Sequence, residues 1–148
     1  MKPASLSRVT LLIALVASLA AAVACDDSPT SPSIQNPPYN QTDLTVGTGA
    51  TAASGNTVTV EYSGWLYDPT KPDQKGPLFD TSTGRGPFVF VLGVGYVIPG
   101  WEQGVPGMKV GGTRRLVVPP SLAYGSSRVS AIPPWSTLVF EIELLEVQ

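Results

Sequence analysis

The sequence predicts an α+β domain in which a bent antiparallel β-sheet is covered by one short α-helix. In several segments apolar and polar residues alternate with a period of two, which is typical of antiparallel strands with one face in the core and one in water. Only one stretch, starting at Pro99, shows the apolar spacing of a helix, and it is too short to be stable by itself. The helix is therefore expected to pack on the sheet.

Four segments are predicted to be strands. The last is the clearest, because Thr137, Glu141 and Glu143 lie opposite its apolar residues. The third must end at Pro119, since proline has no N–H to donate to a neighbouring strand. In chain order, the residues expected to face the core are Val58, Val60 and Tyr62, then Phe88, Phe90 and Leu92, then Leu116 and Val118, and finally Leu138, Phe140, Ile142 and Leu144.

The predicted helix begins at Pro99, whose fixed φ suits the first helical position, and Trp101 lies on its apolar face. Pro106 ends it, because a proline in a helix interior costs on the order of 3 kcal/mol. Two long loops complete the domain, at residues 67–76 and 124–134. Such loops commonly carry binding sites.

The first 24 residues are predicted to be an export signal. Lys2 and Arg8 give a basic start, and residues 9–24 then carry no charge. This uncharged run is shorter than the roughly 20 apolar residues of a membrane-spanning helix, and two acidic residues follow Cys25 directly. A buried core helix is the alternative, but nothing around the run is amphipathic.

Cys25 is the only cysteine, so it has no partner for a disulfide within the chain. It follows Ala22, Val23 and Ala24, and this string resembles the lipobox of bacterial lipoproteins, although Ala22 stands where Leu is usual. The resemblance implies that Cys25 is lipidated and anchors the protein to the bacterial envelope, on the periplasmic face or at the cell surface. An ordinary secreted protein with an unmodified cysteine is the alternative.

Residues 25–43 are predicted to be a flexible tether that follows the signal at residues 1–24. They are rich in Ser, Pro, Asn, Thr and Asp, and they hold too few apolar side chains to offset the entropy of ordering. Residues 44–148 then form a single domain, whose length is sufficient for one hydrophobic core.

The composition excludes several kinds of chemistry. The chain has no histidine, which excludes Ser-His-Asp and Cys-His catalysis and histidine zinc sites. The sequence holds no calcium-loop motif and no Walker-type glycine loop, so neither a metal nor a cofactor is expected. Without Lys2 and Arg8, seven basic residues stand against eleven acidic ones, a net charge of −4, and nucleic acid is not an expected partner.

Six local strings are more specific than the composition. They are VEYSGWL at 60–66, PLFDTS at 77–82, PFVFVLG at 87–93, VIPGWEQG at 97–104, MKVGGTRRLVVPPSLAYG at 108–125 and IPPWSTLVFEIELL at 132–145. In this order and with this spacing they resemble the FKBP-type peptidyl-prolyl cis/trans isomerases. The resemblance covers nearly the whole domain and implies a half-barrel of antiparallel strands wrapped on one short helix.

The resemblance also implies which residues form the site. Trp101 would form the floor of a proline pocket, the backbone N–H of Ile98 would bind a substrate carbonyl, and Tyr124 would donate a hydrogen bond. Asp80 would stand at the side of the pocket and pair with Arg85. The implied catalytic residues are thus Tyr62, Asp80, Ile98 and Tyr124, and the implied substrate-binding residues are Phe79, Phe88, Val97, Trp101, Phe140 and, as an outer wall, Ile132.

The implied activity is the acceleration of X–Pro isomerisation in unfolded or exported polypeptides, which suits a chain without histidine. The barrier, about 18–20 kcal/mol, arises from amide resonance. A dry aromatic pocket disfavours the planar, polarised amide and accepts the twisted one, so no metal or cofactor is required. The resemblance also implies that macrolide inhibitors of the family can bind. One departure leaves the sequence preference open, because Tyr96 stands where the family often has a polar residue.

Two other functions compete with catalysis. In a non-catalytic proline-binding or chaperone module the same pocket would hold a partner without turnover. A purely structural envelope lipoprotein would need no pocket. The presence of Asp80, Trp101 and Tyr124 favours turnover. A prolyl-coupled refolding assay separates these alternatives.

Overall fold

The computed structural model describes residues 36–148. The predicted export signal, Cys25 and the first part of the predicted tether lie outside the described residues. In chain order the elements are β1 (Asn40–Thr45), β2 (Thr57–Tyr67), β3 (Lys75–Thr81), β4 (Phe88–Val91), α1 (Pro99–Gly104), β5 (Thr113–Val118), a 3-10 turn (Pro120–Leu122) and β6 (Leu138–Val147).

The strands form one antiparallel sheet with the order β1-β5-β6-β2-β3, and β4 pairs with β2 as well. The first half of β2 pairs with β4 and its second half with β3, so one long strand supports two shorter neighbours on the same side. Register shifts at Thr59/Val60 and at Gly64/Trp65 bend β2. The predicted bent antiparallel sheet and its single short helix are confirmed.

The core lies between α1 and one face of the sheet. The residues predicted to face the core are buried, apart from Tyr62 and Phe88, which are half-buried. Trp101 and Val105 complete the core from the helix side. At Gly100 an added Cβ would lie 2.4 Å from Cγ1 of Val118, so the helix can approach β5 this closely only because no side chain stands there.

The predicted helix is confirmed, from Pro99 to Gly104. Ile98 precedes it in an extended conformation, with φ −60° and ψ 150°. At the other end Arg114 of β5 donates hydrogen bonds from Nη1 to the carbonyl oxygens of Gly104, at 2.8 Å, and Pro106, at 3.2 Å. The last carbonyl of α1 is therefore satisfied by a side chain from the sheet, and this contact fixes the helix on β5.

The predicted tether is wrong over residues 36–43, because the ordered domain begins before Leu44. β1 starts at Asn40 and pairs with β5. Upstream, the Tyr39 hydroxyl donates to the carbonyl of Gly100 at 3.2 Å, and the Thr137 hydroxyl donates to Oδ1 of Asn36 at 3.0 Å. All six side chains of β1 are exposed, so the strand is held by its backbone and has no apolar alternation to reveal it.

The outer face of the sheet is less solvated than predicted. Thr137, placed opposite the core from sequence, is 6% exposed, and Val117 and Val139 are 7% and 0% exposed. Val139 lies directly between Val117 of β5 and Trp65 of β2 in the sheet, and Thr137 is covered by the segment that contains Asn36. Among residues 36–148, no helix is long and apolar enough to cross a membrane.

Candidate functional site

A cavity of about 370 Å³ opens between α1, the sheet and the loop before the helix. Such a volume is at the lower end of the range for small-ligand sites. Among the described residues that line it, only Asp80 is charged. The lining residues are Tyr62 of β2, Phe79 and Asp80 of β3, Phe88 of β4, Tyr96, Val97 and Ile98 of the loop before α1, Trp101 of α1, Tyr124, and Phe140 of β6.

Trp101 and Phe140 are the most buried of the aromatic residues that line the cavity, and each is 4% exposed. The Trp101 ring meets Tyr62 edge to face, with centroids 5.1 Å apart, and Phe140 in the same manner at 5.3 Å. Phe140 meets Phe79 edge to face at 5.7 Å. These contacts fix the orientation of the rings, so the bottom of the cavity is a fixed aromatic surface. Its polar atom is the indole Nε1 of Trp101, which is buried without a hydrogen-bond partner among the described residues.

Gly64 of β2 makes room for this cluster. A Cβ added at Gly64 would lie 2.7 Å from Cζ of Phe79 and 2.9 Å from Cε1 of Phe140. Any side chain here would therefore displace both rings. The two phenylalanines can meet above β2 because that position has no side chain.

Asp80 provides the polar end of the cavity. Its Oδ2 accepts a hydrogen bond from the Tyr62 hydroxyl at 2.6 Å, and its Oδ1 accepts one from the backbone N–H of Thr81 at 3.0 Å. The guanidinium of Arg85 also pairs with Oδ1, in agreement with the pairing that the resemblance implied. The carboxylate is thus held by three donors and cannot turn freely.

Both tyrosine hydroxyls at this end of the cavity are poor acids. Burial, and after it the hydrogen bond to Asp80, raises the pKa of Tyr62 to about 12. Burial, and after it the negative charge of Asp80, raises the pKa of Tyr124 as well. Both hydroxyls therefore keep their protons at neutral pH and can act as hydrogen-bond donors.

The backbone at Ile98 is fixed by the start of α1. Its carbonyl accepts from the N–H groups of Trp101, at 2.9 Å, and Glu102, at 3.2 Å. Its side chain lines the cavity next to Val97. The two hydrogen bonds therefore fix the backbone of Ile98 at the edge of the cavity.

The sequence pattern of the FKBP-type peptidyl-prolyl cis-trans isomerases matches residues 49–145. The chain belongs to this family. The family inferred from the six strings is thereby confirmed, and its members are peptidyl-prolyl cis-trans isomerases.

Relatives of the chain are FK506-binding proteins of fungi. FK506-binding protein 1 of Aspergillus oryzae is 44% identical over 108 residues, which cover 70% of this chain and 93% of that protein. FK506-binding protein 4 of Neurospora crassa is 48% identical over 106 residues, which cover 72% of this chain but span only 21% of that longer protein.

Two solved structures share the fold. FkpA from Escherichia coli has a TM-score of 0.64 and 42% identity, over 74% of this chain and 48% of that one. AtFKBP13 has a TM-score of 0.63 and 36% identity, over 74% of this chain and 93% of that one. The FKBP-like sheet with a single short helix is therefore established.

Two residues differ from what the family resemblance implied. Ile132, expected as an outer wall, is 5% exposed, belongs to the core and is not among the residues that line the cavity. A tight turn holds it, since its N–H and the carbonyl of Val129 are 2.8 Å apart. Tyr96, noted from sequence only as a departure, does line the cavity. Its position directly before the VIPGW string was the signal that could have identified it.

Proposed function

We propose that this chain accelerates the cis/trans isomerisation of X–Pro bonds in exported polypeptides, with the proline ring bound in the aromatic cavity. The observation that carries the proposal is the cavity itself, in which Trp101 forms an aromatic floor and Asp80 is the one charged lining residue among those described. Membership of a family of isomerases supports turnover over simple binding.

The proposed mechanism needs no proton transfer. The resonance-stabilised amide is polar and planar, whereas the twisted amide at the top of the barrier is less polar. Transfer from water into an apolar cavity therefore destabilises the planar amide more than the twisted one. In this proposal the N–H of Ile98 and the hydroxyl of Tyr124 hold the flanking carbonyls, while Asp80 keeps the Tyr62 hydroxyl in place.

A prolyl-coupled refolding assay tests the proposal. The purified protein should shorten the proline-limited phase of a slowly folding substrate, in proportion to enzyme concentration. The second candidate, a non-catalytic proline-binding or chaperone module, would bind proline peptides without shortening that phase. Proportional acceleration that survives a Val89→Ala change, on the opposite face of β4 from Phe88, would show that the exposed apolar surface at Val89 does not cause it.

We also propose that macrolides bind in this cavity. Similarity to proteins named as FK506-binding supports this, as does the apolar lining. FK506 should compete with substrate, so that inhibition is relieved by excess proline peptide. Inhibition that does not respond to peptide would place the macrolide elsewhere.

We further propose that residues 1–24 direct export and that Cys25 carries a lipid anchor in the bacterial envelope, followed by a tether that ends before residue 36. The support is the sequence of residues 22–25 and the basic, then uncharged, run before them. The membrane anchor would hold the isomerase near newly exported chains.

The anchor is tested by Cys25→Ser in cells. We expect the variant to leave the membrane fraction or to accumulate unprocessed, because serine cannot form the thioether to lipid. The isomerase activity of the purified variant is the control and should equal that of wild type. Equal membrane retention of both proteins would remove the anchor and leave the isomerase proposal intact.

A further inference from the structure

Tyr96 presents an unusual surface at the edge of the cavity. It lines the cavity, yet 69% of the residue is exposed. Its ring lies nearly parallel to that of Phe88, with centroids 6.4 Å apart and an interplanar angle of 27°. Phe88 in turn stacks on Phe90, at 5.4 Å and 26°. The aromatic lining therefore continues out of the cavity onto a tyrosine that remains largely open to solvent.

The loop that carries Tyr96, residues 93–97, is held by one side chain of α1. The Glu102 carboxylate accepts a hydrogen bond from the N–H of Gly93 through Oε2, at 2.6 Å, and from the N–H of Gly95 through Oε1, at 2.9 Å. Both glycines have positive φ, 85° and 74°, a conformation that other residues rarely adopt. The carboxylate therefore fixes a backbone that would otherwise be free to move, and it sets the position of Tyr96.

We propose that Tyr96 is a specificity-determining residue, and that it binds an aromatic side chain located within one residue of the substrate proline. This inference rests on the proposed isomerase function and names the substrates it would favour. A proline ring on Trp101 places the neighbouring side chain at the cavity edge, where the exposed ring of Tyr96 offers a partner for stacking. A stacked aromatic pair is worth on the order of two- to tenfold in affinity.

Glu102 acts in this inference as a positioning residue. Each of its two oxygens accepts a hydrogen bond from the loop, so its role is to hold the backbone that carries Tyr96. Glu102→Gln keeps the size of the side chain but places an amide N–H₂ against one of the two backbone donors. The loop should loosen, and Tyr96 should lose its fixed position although its ring is still present.

The experiment compares four proline peptides, with Phe or Ala directly before the proline and with Phe or Ala directly after it. Both kcat/KM for isomerisation and Kd for binding are measured with the full protein. For wild type we expect the peptide with Phe to be preferred over the peptide with Ala at one of the two positions, in both kcat/KM and Kd; we call this ratio the Phe-to-Ala preference. The position that shows it identifies the side of the proline that contacts Tyr96. Tyr96→Ala should reduce this preference by about two- to tenfold, mainly through KM and Kd.

Three further variants make the test specific. Tyr96→Phe retains the ring and should retain the preference. Glu102→Gln should reduce the preference as Tyr96→Ala does, whereas a general loss of stability would lower activity on all four peptides alike. Val89→Ala shortens a residue that is 53% exposed on the opposite face of β4, and it should leave the preference unchanged.

The inference is overturned if the Phe-to-Ala ratio is the same in wild type and Tyr96→Ala. If wild type binds the peptides without accelerating isomerisation, the proposed function fails, and the ratio of Kd values still decides the role of Tyr96. If no peptide binds, the proposed isomerase function and the role of Tyr96 are both overturned.

Discussion

At the scale of single residues, the polar end of the cavity depends on how Asp80 is held. Its carboxylate accepts from Tyr62, from the backbone of Thr81 and from Arg85. A carboxylate restrained in this way is suited to fixing the position of a hydroxyl, and poorly suited to carrying protons to and from a substrate.

Asp80→Asn should therefore reduce turnover without unfolding the domain. The amide keeps the size of the carboxylate but loses the charge that binds Tyr62 and Arg85, and we expect kcat/KM to fall about five- to twentyfold. Because the Asp80 side chain is 39% exposed, the free energy of unfolding should change by less than about 1 kcal/mol.

The matched control is Asp73→Asn, an exposed carboxylate that pairs with Lys75 outside the cavity. It should leave kcat/KM unchanged. An Asp80→Asn variant as active as wild type would show that the Tyr62–Asp80 pair is not needed for turnover.

The pH dependence of activity follows from the tyrosines. Their pKa values are raised above the ordinary value, to about 12 for Tyr62, so the protonated, donating form persists well above neutral pH. We expect kcat/KM on a peptide without titrating groups to vary by less than about twofold between pH 6 and 8. A steep change in that interval would require a titrating group in the reaction and would contradict the mechanism proposed above.

At the scale of elements, α1 is held in place by Arg114. This residue is 8% exposed, and besides the two carbonyls at the end of the helix it bonds Asp43 of β1, with Nε to Oδ1 at 2.5 Å and Nη2 to Oδ2 at 3.1 Å. One guanidinium thus joins β1, β5 and the helix that carries Trp101. The six-residue helix is stable because of such tertiary contacts.

Replacement of Arg114 should accordingly affect the helix and the strand together. Arg114→Met leaves the Gly104 carbonyl without its donor, and we expect the free energy of unfolding in urea to fall by about 2–4 kcal/mol. Asp43→Asn should cost no more than about half as much, because the Asp43 side chain is 42% exposed and Arg114 keeps both carbonyls. Equal losses would show that the ion pair, and not the helix contact, carries the stability.

At the scale of the whole molecule, the domain is larger than its sequence pattern suggests. β1 forms one edge of the sheet, and in the segment before it Tyr39 contacts Gly100 and Asn36 contacts Thr137. These contacts connect the start of the domain to the helix and to the last strand.

Two truncations test this boundary. A protein that starts at Leu44 should unfold at a temperature at least about 5 °C below that of one that starts at Asn36, because it loses residues 40–43 of β1, which pair with β5, and with them Asp43, the carboxylate partner of Arg114. Thermal unfolding followed by circular dichroism measures the difference. Equal unfolding temperatures would show that the stable domain begins at Leu44.

The sequence by itself determined the strands whose apolar residues alternate, the helix at Pro99 and the family. At positions such as Val58, Leu116 and Leu144, burial depends on local periodicity, which one sequence displays. It also determined nearly all of the residues that line the cavity, because they lie within the strings that resemble those of the family.

The tertiary structure alone decided the parts that depend on contacts between distant residues. β1 and β3 lack a clear alternation, since β1 is held by backbone pairing at an edge and β3 runs half-exposed beside β2. Glu102 and Arg114 read from sequence as ordinary charged residues, and only the fold brings their side chains to backbone groups 7–10 residues away along the chain. Hydrogen bonds to backbone groups leave no pattern of side chains, so a single sequence cannot display them.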